Sequence, residues 1–410
     1  MKTLIVVGLV FAVSYLSTRL VFSTRLSLLG FRYLFFSGTE FLLLGYMIGP
    51  RGLGLIPPAI VDSLDPLLHL GLGWAGLMFG LQFNHKAVLL YRRRRWILGF
   101  SQALVTSILV AGGAWLVLPL IFPIIDEEMR VRAAVILGVC AGPTAPSSIH
   151  YFSRIFQIRG RVNRLLKFIV GIDGIPPILL LGLAAGLLHV SNLGLGEGLP
   201  GWKWLLVGVL IGILLGLLLA ALVGLDFKRE ELLLFVLGIV ALASGLAQYL
   251  HLPAVFLSFF AGITTANTAW HREEIHKMAA HAEKPLYLTF LVMTGTLIVL
   301  DDARVVALAT ILVVLRLGGK LIGNIVWRWI PFEPRARSPL LGLALLSQGG
   351  LTLVLAVDFF FLYSTDLERL DTTLLVVSAV VVAVLANEIL SPLFIRRLFP
   401  KLETAEESGS

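Results

Sequence analysis

Apolar residues run in stretches of about 17 to 25 along nearly the whole chain, each closed by a short loop of charged or turn-forming residues. At a rise of about 1.5 Å per residue, a helical stretch of that length crosses a hydrocarbon core about 30 Å thick. The pattern predicts thirteen spans, near 3–22, 32–49, 64–83, 96–122, 131–153, 165–189, 203–225, 231–250, 253–269, 284–300, 305–327, 339–362 and 371–395. An all-α polytopic membrane protein is therefore expected, with one transmembrane domain over residues 1–400 and a short tail at 401–410.

Three spans are interrupted in mid-course. VILGVCAGPTAPSSIHYFSRIF, which begins at Val135, contains Pro143 and Pro146, and FIVGIDGIPPI contains Pro176 and Pro177. An α-helical N–H bonds the carbonyl four residues earlier and proline has none to give, so Pro146 frees the carbonyl of Gly142. By the same rule Pro176 and Pro177 free those of Ile172 and Asp173. LALLSQGGLTLVLA places Ser347, Gln348, Gly349 and Gly350 in the middle of the twelfth span, where paired glycines weaken a helix. Freed backbone at membrane depth is tolerated where it faces protein or a wet cavity, and transporters hold ions there.

Composition agrees with the membrane reading and narrows the chemistry. With 58% hydrophobic and 14% charged residues the chain is far more apolar than a soluble domain. A net charge of +8 in a soluble protein would point to nucleic acid. Here the basic residues sit in loops between spans, as membrane topology requires, and nucleic acid is not an expected partner. The lone Cys140 excludes a disulfide framework and a multi-cysteine metal site. No Ser/His/Asp, HExxH or phosphate-loop pattern stands in its required context, so neither an enzyme nor a cofactor is expected.

Lys and Arg crowd into every second loop, as in Arg92 to Arg95, Arg154 to Lys167 and Arg335 to Arg337. The alternate loops hold Arg51, Arg130, Arg132, Lys203, Arg304 and Arg369. This bias puts the N-terminus outside and the C-terminus in the cytoplasm. MKT followed by LIVVGLVFAVSYLS reads as a retained first span, because it lacks a small-x-small cleavage site and a cleaved signal would put Arg19, Arg25 and Arg32 outside. LLLGYMIGPRG and GLMFGLQF in spans two and three resemble LSFFAGITTAN and LVMTGTLI in spans nine and ten. That offset is odd, so the halves, about 32–189 and 253–395, would be inverted, with spans over 203–250 between them.

Asp173 has apolar sequence on both sides, and a carboxylate inside a membrane is costly enough to mark a functional position. Counted from the cytoplasmic ends of their spans, Ala145, Asp173, Lys320 and Gly349 all lie about ten residues in, near the midplane. Asp173 could take a proton or a cation, or it could pair structurally with Lys320 or Arg316. Those two cations lie at i and i+4 and share one helix face, where they compensate charge or neutralise helix ends. Thr144, Ala145, Pro146, Ser147 and Ser148 could offer oxygens and helix ends to a hard cation, or only hydrogen-bond within a helix. Gln348, Gly349 and Gly350 are read as crossing or close-packing positions. Glu40 is a possible second proton site, Glu388 is read as interfacial and His69 as a packing residue.

Taken in order, LLLGYMIGPRGLGLI, GPTAPSS, IDGIPP, RLGGKLIG and LLSQGGLTLVLA resemble the conserved helices of the cation/proton antiporter superfamily. The likeness is to its sodium/hydrogen exchanger domain, in the bacterial branch with Kef-type and Nap-type members, and covers about residues 34–395. It implies the antiporter fold with two crossed, unwound helices, a homodimer in the bacterial inner membrane, and exchange of Na⁺, K⁺ or Li⁺ for protons at Asp173. Many members carry two polar residues at the site, whereas this chain has Ile172 before Asp173. The readings that remain open beside antiport are a gated, channel-like cation uniporter and a non-transporting sensor that kept the fold.

Overall fold

The computed structural model describes residues 38–85, 93–155, 161–188, 200–224, 229–270, 272–326, 341–364, 366 and 368–407. The first predicted span, and the loops that hold Lys86, Arg159 and Arg335, lie outside them. In chain order the helices are α1 (Glu40–Ile48), α2 (Pro58–Ser63), α3 (Asp65–Leu81), α4 (Arg93–Ile121), α5 (Glu127–Ala141), α6 (Pro146–Ile155), α7 (Arg161–Ile172) and α8 (Ile175–Leu187). They continue as α9 (Gly201–Val223), α10 (Arg229–Tyr249), α11 (Ala254–Thr268), α12 (Arg272–Thr296), α13 (Ala303–Val326), α14 (Leu341–Ala344), α15 (Gly350–Tyr363) and α16 (Leu370–Glu407).

Every predicted span from the second onward contains helix. Among the described residues, six helical runs are long and apolar enough to cross a bilayer unaided, including Arg93–Ile121, Gly201–Val223 and Ala303–Ile325. The two clearest interruptions are residues 142–145 between α5 and α6, and 345–349 between α14 and α15. The Pro176–Pro177 pair behaves differently from expectation. Both prolines occupy the first turn of α8, where a missing N–H costs little, and only Asp173 and Gly174 leave the helix. Helix α16 also runs on to Glu407, so the expected tail is largely helical.

Local sequence explains several helix starts. Asp126 caps α5 by accepting the Met129 N–H at 3.3 Å, and Glu127 and Glu128 complement its positive end. Proline lies just before or inside the first turns of α3, α8, α9 and α11, pre-set for helix and spending no donor. At the end where α5 begins, Arg369 pairs with Asp126 at 2.9 Å and with Glu128 and Asp366 at 3.0 Å, tying α5 to the turn before α16.

The helices pack as two bundles. One is made of α1, α3 and α9 to α12, with α3 against α11, α9 against α11 and α1 against α12. The other is made of α4 to α8 and α13 to α16, with α4 held between α5 and α13, and α8 lies where the two bundles meet. In the first bundle Gly45 faces Gly295 and Gly80 faces Gly262, each so closely that an added Cβ would come within 2.9 Å of the opposite Cα. Small residues let the backbones approach, the device membrane helices use in place of hydrophobic collapse. The second bundle contains both interrupted helices.

Candidate functional site

The two interruptions cross. The Ala145 N–H donates to the Ser347 carbonyl at 3.1 Å, the Thr144 hydroxyl donates to the Leu345 carbonyl at 3.2 Å, and the Ser148 and Ser347 hydroxyls bond each other. A Cβ at Gly349 would lie 2.8 Å from that of Ala145, so the crossing leaves no room for a larger residue there. Gln348 reaches across to the Cys140 carbonyl at 2.9 Å and is held by Asn387 at 2.7 Å. Gly350 does not lie in the gap but starts α15.

Both gaps expose carbonyls that no helix uses, and two cations on one face of α13 fill them. Arg316 is fully buried and donates to the Ala141 carbonyl, to Pro143 at 2.8 Å, to Leu345 at 3.2 Å, and to Leu346 and Ser347 at 3.4 Å. It closes the carbonyl ends of α5 and α14 together, where both helix dipoles are negative. One turn further on, the Lys320 ammonium donates to the Gly142 carbonyl at 2.7 Å, the carbonyl that Pro146 was expected to free. Its other acceptors are the Thr144 hydroxyl at 3.1 Å and Gln102 Oε1 at 3.2 Å, so each of its three N–H groups has a neutral oxygen.

Asp173 lies against this arrangement, 1% exposed. Its Oδ1 accepts the Thr144 N–H at 3.3 Å. Its Oδ2 is 3.8 Å from Lys320 Nζ, within ion-pair range but beyond a hydrogen bond, and accepts no hydrogen bond among the described residues. The site therefore holds a buried carboxylate with one oxygen used and one open, beside an ammonium already satisfied by neutral groups. Such an oxygen can take a proton or a bare cation without dismantling the structure around it.

The remaining expected residues divide. Pro146 and Ser147 open α6 and are exposed, on the side of the crossing where α6 runs towards Ile155. Glu40 begins α1 and, among the described residues, shares no hydrogen bond or ion pair with Asp173, Lys320 or Arg316. Glu388 is fully buried between helices and accepts the Thr39 hydroxyl at 2.7 Å. His69 packs its ring on Phe361, with centroids 4.1 Å apart, and bonds the Asp65 carbonyl at 2.9 Å through Nδ1.

Sequence reasoning missed Gln102, Asn387 and Asp358. Each is a polar residue inside an apolar span, which was the available signal, but none lies beside a proline or glycine break. Gln102 grips Lys320 at both ends, with Oε1 on the ammonium and Nε2 on the backbone carbonyl at 3.3 Å.

Residues 16–398 match the family model described as sodium/hydrogen exchanger, transmembrane. The chain belongs to the sodium/hydrogen exchanger family. Members of this family carry cations against protons across membranes and are not enzymes. In fold, the exchanger is similar to the sodium/proton antiporter MjNhaP1 from Methanocaldococcus jannaschii at pH 8, with a TM-score of 0.70 over 98% of this chain and 99% of that one at 17% identity. An electron-microscopy structure of MjNhaP1 gives a TM-score of 0.66 over 96% and 94% of the two chains at 14% identity. No curated protein matches the chain in sequence.

Proposed function

We propose that the chain exchanges Na⁺ or K⁺ for protons by alternating access, with Asp173 as the seat that proton and cation share. The observation that carries this reading is Asp173 Oδ2, a buried oxygen beside two crossed helix breaks that accepts no hydrogen bond among the described residues. A proton neutralises it by forming an O–H bond. A dehydrated cation neutralises it by charge and draws on neighbouring oxygens, the ligands hard cations favour. The two compete for one carboxylate, so each inward passage of one is matched by an outward passage of the other. Lys320 keeps its three neutral acceptors when Asp173 is occupied, so it can remain charged, and the exchange is one for one. Glu40 stands apart from this arrangement and is assigned no proton.

The description of MjNhaP1 as a sodium/proton antiporter favours Na⁺ over K⁺. The reciprocal contacts of Gly45 with Gly295 and Gly80 with Gly262 support the inverted repeat, since they exchange the motif pairs of the two halves. A homodimer in a bacterial inner membrane, with the N-terminus outside and the C-terminus in the cytoplasm, completes the reading, and the loop charges support that orientation. The test is collapse of a pH gradient in everted vesicles on adding Na⁺, K⁺ or Li⁺. Silence with every ion, or an undiminished response in Asp173→Asn, overturns the proposal. A uniporter would instead pass current with no change in the pH gradient.

A further inference from the structure

Asp358 is a second buried carboxylate, on α15, and the exchange chemistry above makes no use of it. Its Oδ1 accepts the Ala254 N–H at 3.0 Å and its Oδ2 accepts the Val255 N–H at 2.9 Å. These are the first two N–H groups of α11, whose own N-cap, Pro253, supplies no side-chain hydrogen bond. The missing cap is thus provided from the other bundle, by a carboxyl group whose oxygens accept at the positive end of the α11 dipole. Helix α15 starts at the crossing and carries Asp358 eight residues beyond Gly350. Any shift of the crossing relative to α11 therefore pulls directly on this contact.

The two ends of the molecule differ in the same sense. At the end where α11 begins, the bundles are closed on each other, with His69 stacked on Phe361 and Leu252 and Ala254 buried. At the other end Ser147, His150 and Arg154 lie on one face of α6 and are exposed. Exposed polar groups running from the membrane midplane to its edge belong to a wet face, because lipid would not accept them. The Thr39–Glu388 hydrogen bond also joins the bundles, through the hydroxyl of Thr39, the N-cap residue of α1.

We infer that Asp358 is the latch of the closed end: by capping α11 from across the bundle interface it holds the carrier open towards the α6 face, and access to the opposite side requires the carboxylate to release Ala254 and Val255. This deepens the exchange reading, since it supposes that the bundles move. It adds a residue whose work is conformational and not ion binding.

The test is labelling by a membrane-impermeant maleimide in full-length protein carrying Cys140→Ala. Reporter cysteines are introduced singly, as His150→Cys on the exposed face and Leu252→Cys at the closed end. With Asp358→Asn, His150→Cys should label at least threefold more slowly and Leu252→Cys at least threefold faster. Ala254→Pro repeats the test from the other partner. It deletes one of the two donors, and proline suits the first position of a helix, so it carries the measurement if Asp358→Asn does not fold. Unchanged rates in folded variants, or faster labelling at both positions, overturn the latch. The labelling needs no transport: reciprocal shifts in a chain that exchanges no ion would remove the exchange reading and leave the latch standing.

Discussion

Asp173 and Asp358 are both buried carboxylates within the membrane-spanning region, and they differ in one respect. Asp358 has both oxygens occupied by backbone N–H groups at ordinary hydrogen-bond distances. Among the described residues, Asp173 has one long bond to Oδ1 and none to Oδ2, with the Lys320 ammonium at 3.8 Å. A buried polar atom left without a partner costs more than a made hydrogen bond returns, so a chain keeps one where something else is to fill it. Burial alone does not distinguish these two carboxylates. The occupancy of their oxygens does.

The strongest way to break that comparison is to replace each carboxylate by its amide. Asp173→Asn should reduce cation-driven collapse of the pH gradient to background while leaving the melting temperature within a few degrees of wild type, because no hydrogen bond to Oδ2 is lost. Should the two substitutions have equal effects on exchange, the distinction fails. Next in size is ligand linkage: a saturating cation, at a hundredfold its Kd, should stabilise the wild type by about 2.7 kcal/mol, measured by thermal unfolding in detergent. That gain should vanish in Asp173→Asn and survive in Asp358→Asn.

Asp358→Asn turns an amide N–H₂ towards one of the two backbone donors. It should cost about 2 kcal/mol of stability, read from the same unfolding curves, while exchange persists at a reduced rate. The smallest expected effect sharpens the picture around Lys320. Thr144→Val removes one of three neutral acceptors and should weaken apparent cation affinity about fivefold, equivalent to about 1 kcal/mol, in the vesicle assay. An unchanged affinity would mean that Thr144 serves the crossing alone.

A similar contrast separates Arg316 from Lys320. From sequence both were intramembrane cations on one helix face, with ion-pair and helix-end roles open to each. The structure gives Arg316 the carbonyls of two helix ends and leaves Lys320 beside the carboxylate. The fork of the guanidinium suits several carbonyls at once, and the compact ammonium suits a small cluster of oxygens.

The sequence by itself determined the membrane class, the approximate spans, the break at Pro146 and the freed carbonyl of Gly142, because length, hydropathy and the missing proline N–H act locally. It also marked Asp173, since an ionisable residue in an apolar span is rare whatever the fold. Only the tertiary structure decided which groups meet. Ala145 lies against Ser347, Gln102 grips Lys320, and Asp358 caps a helix more than a hundred residues earlier in the chain. Those contacts depend on how helices cross in space, and no period or spacing along one strand of sequence records a crossing. The same reason hid the partner of Glu388, since Thr39 lies more than three hundred residues earlier in the chain.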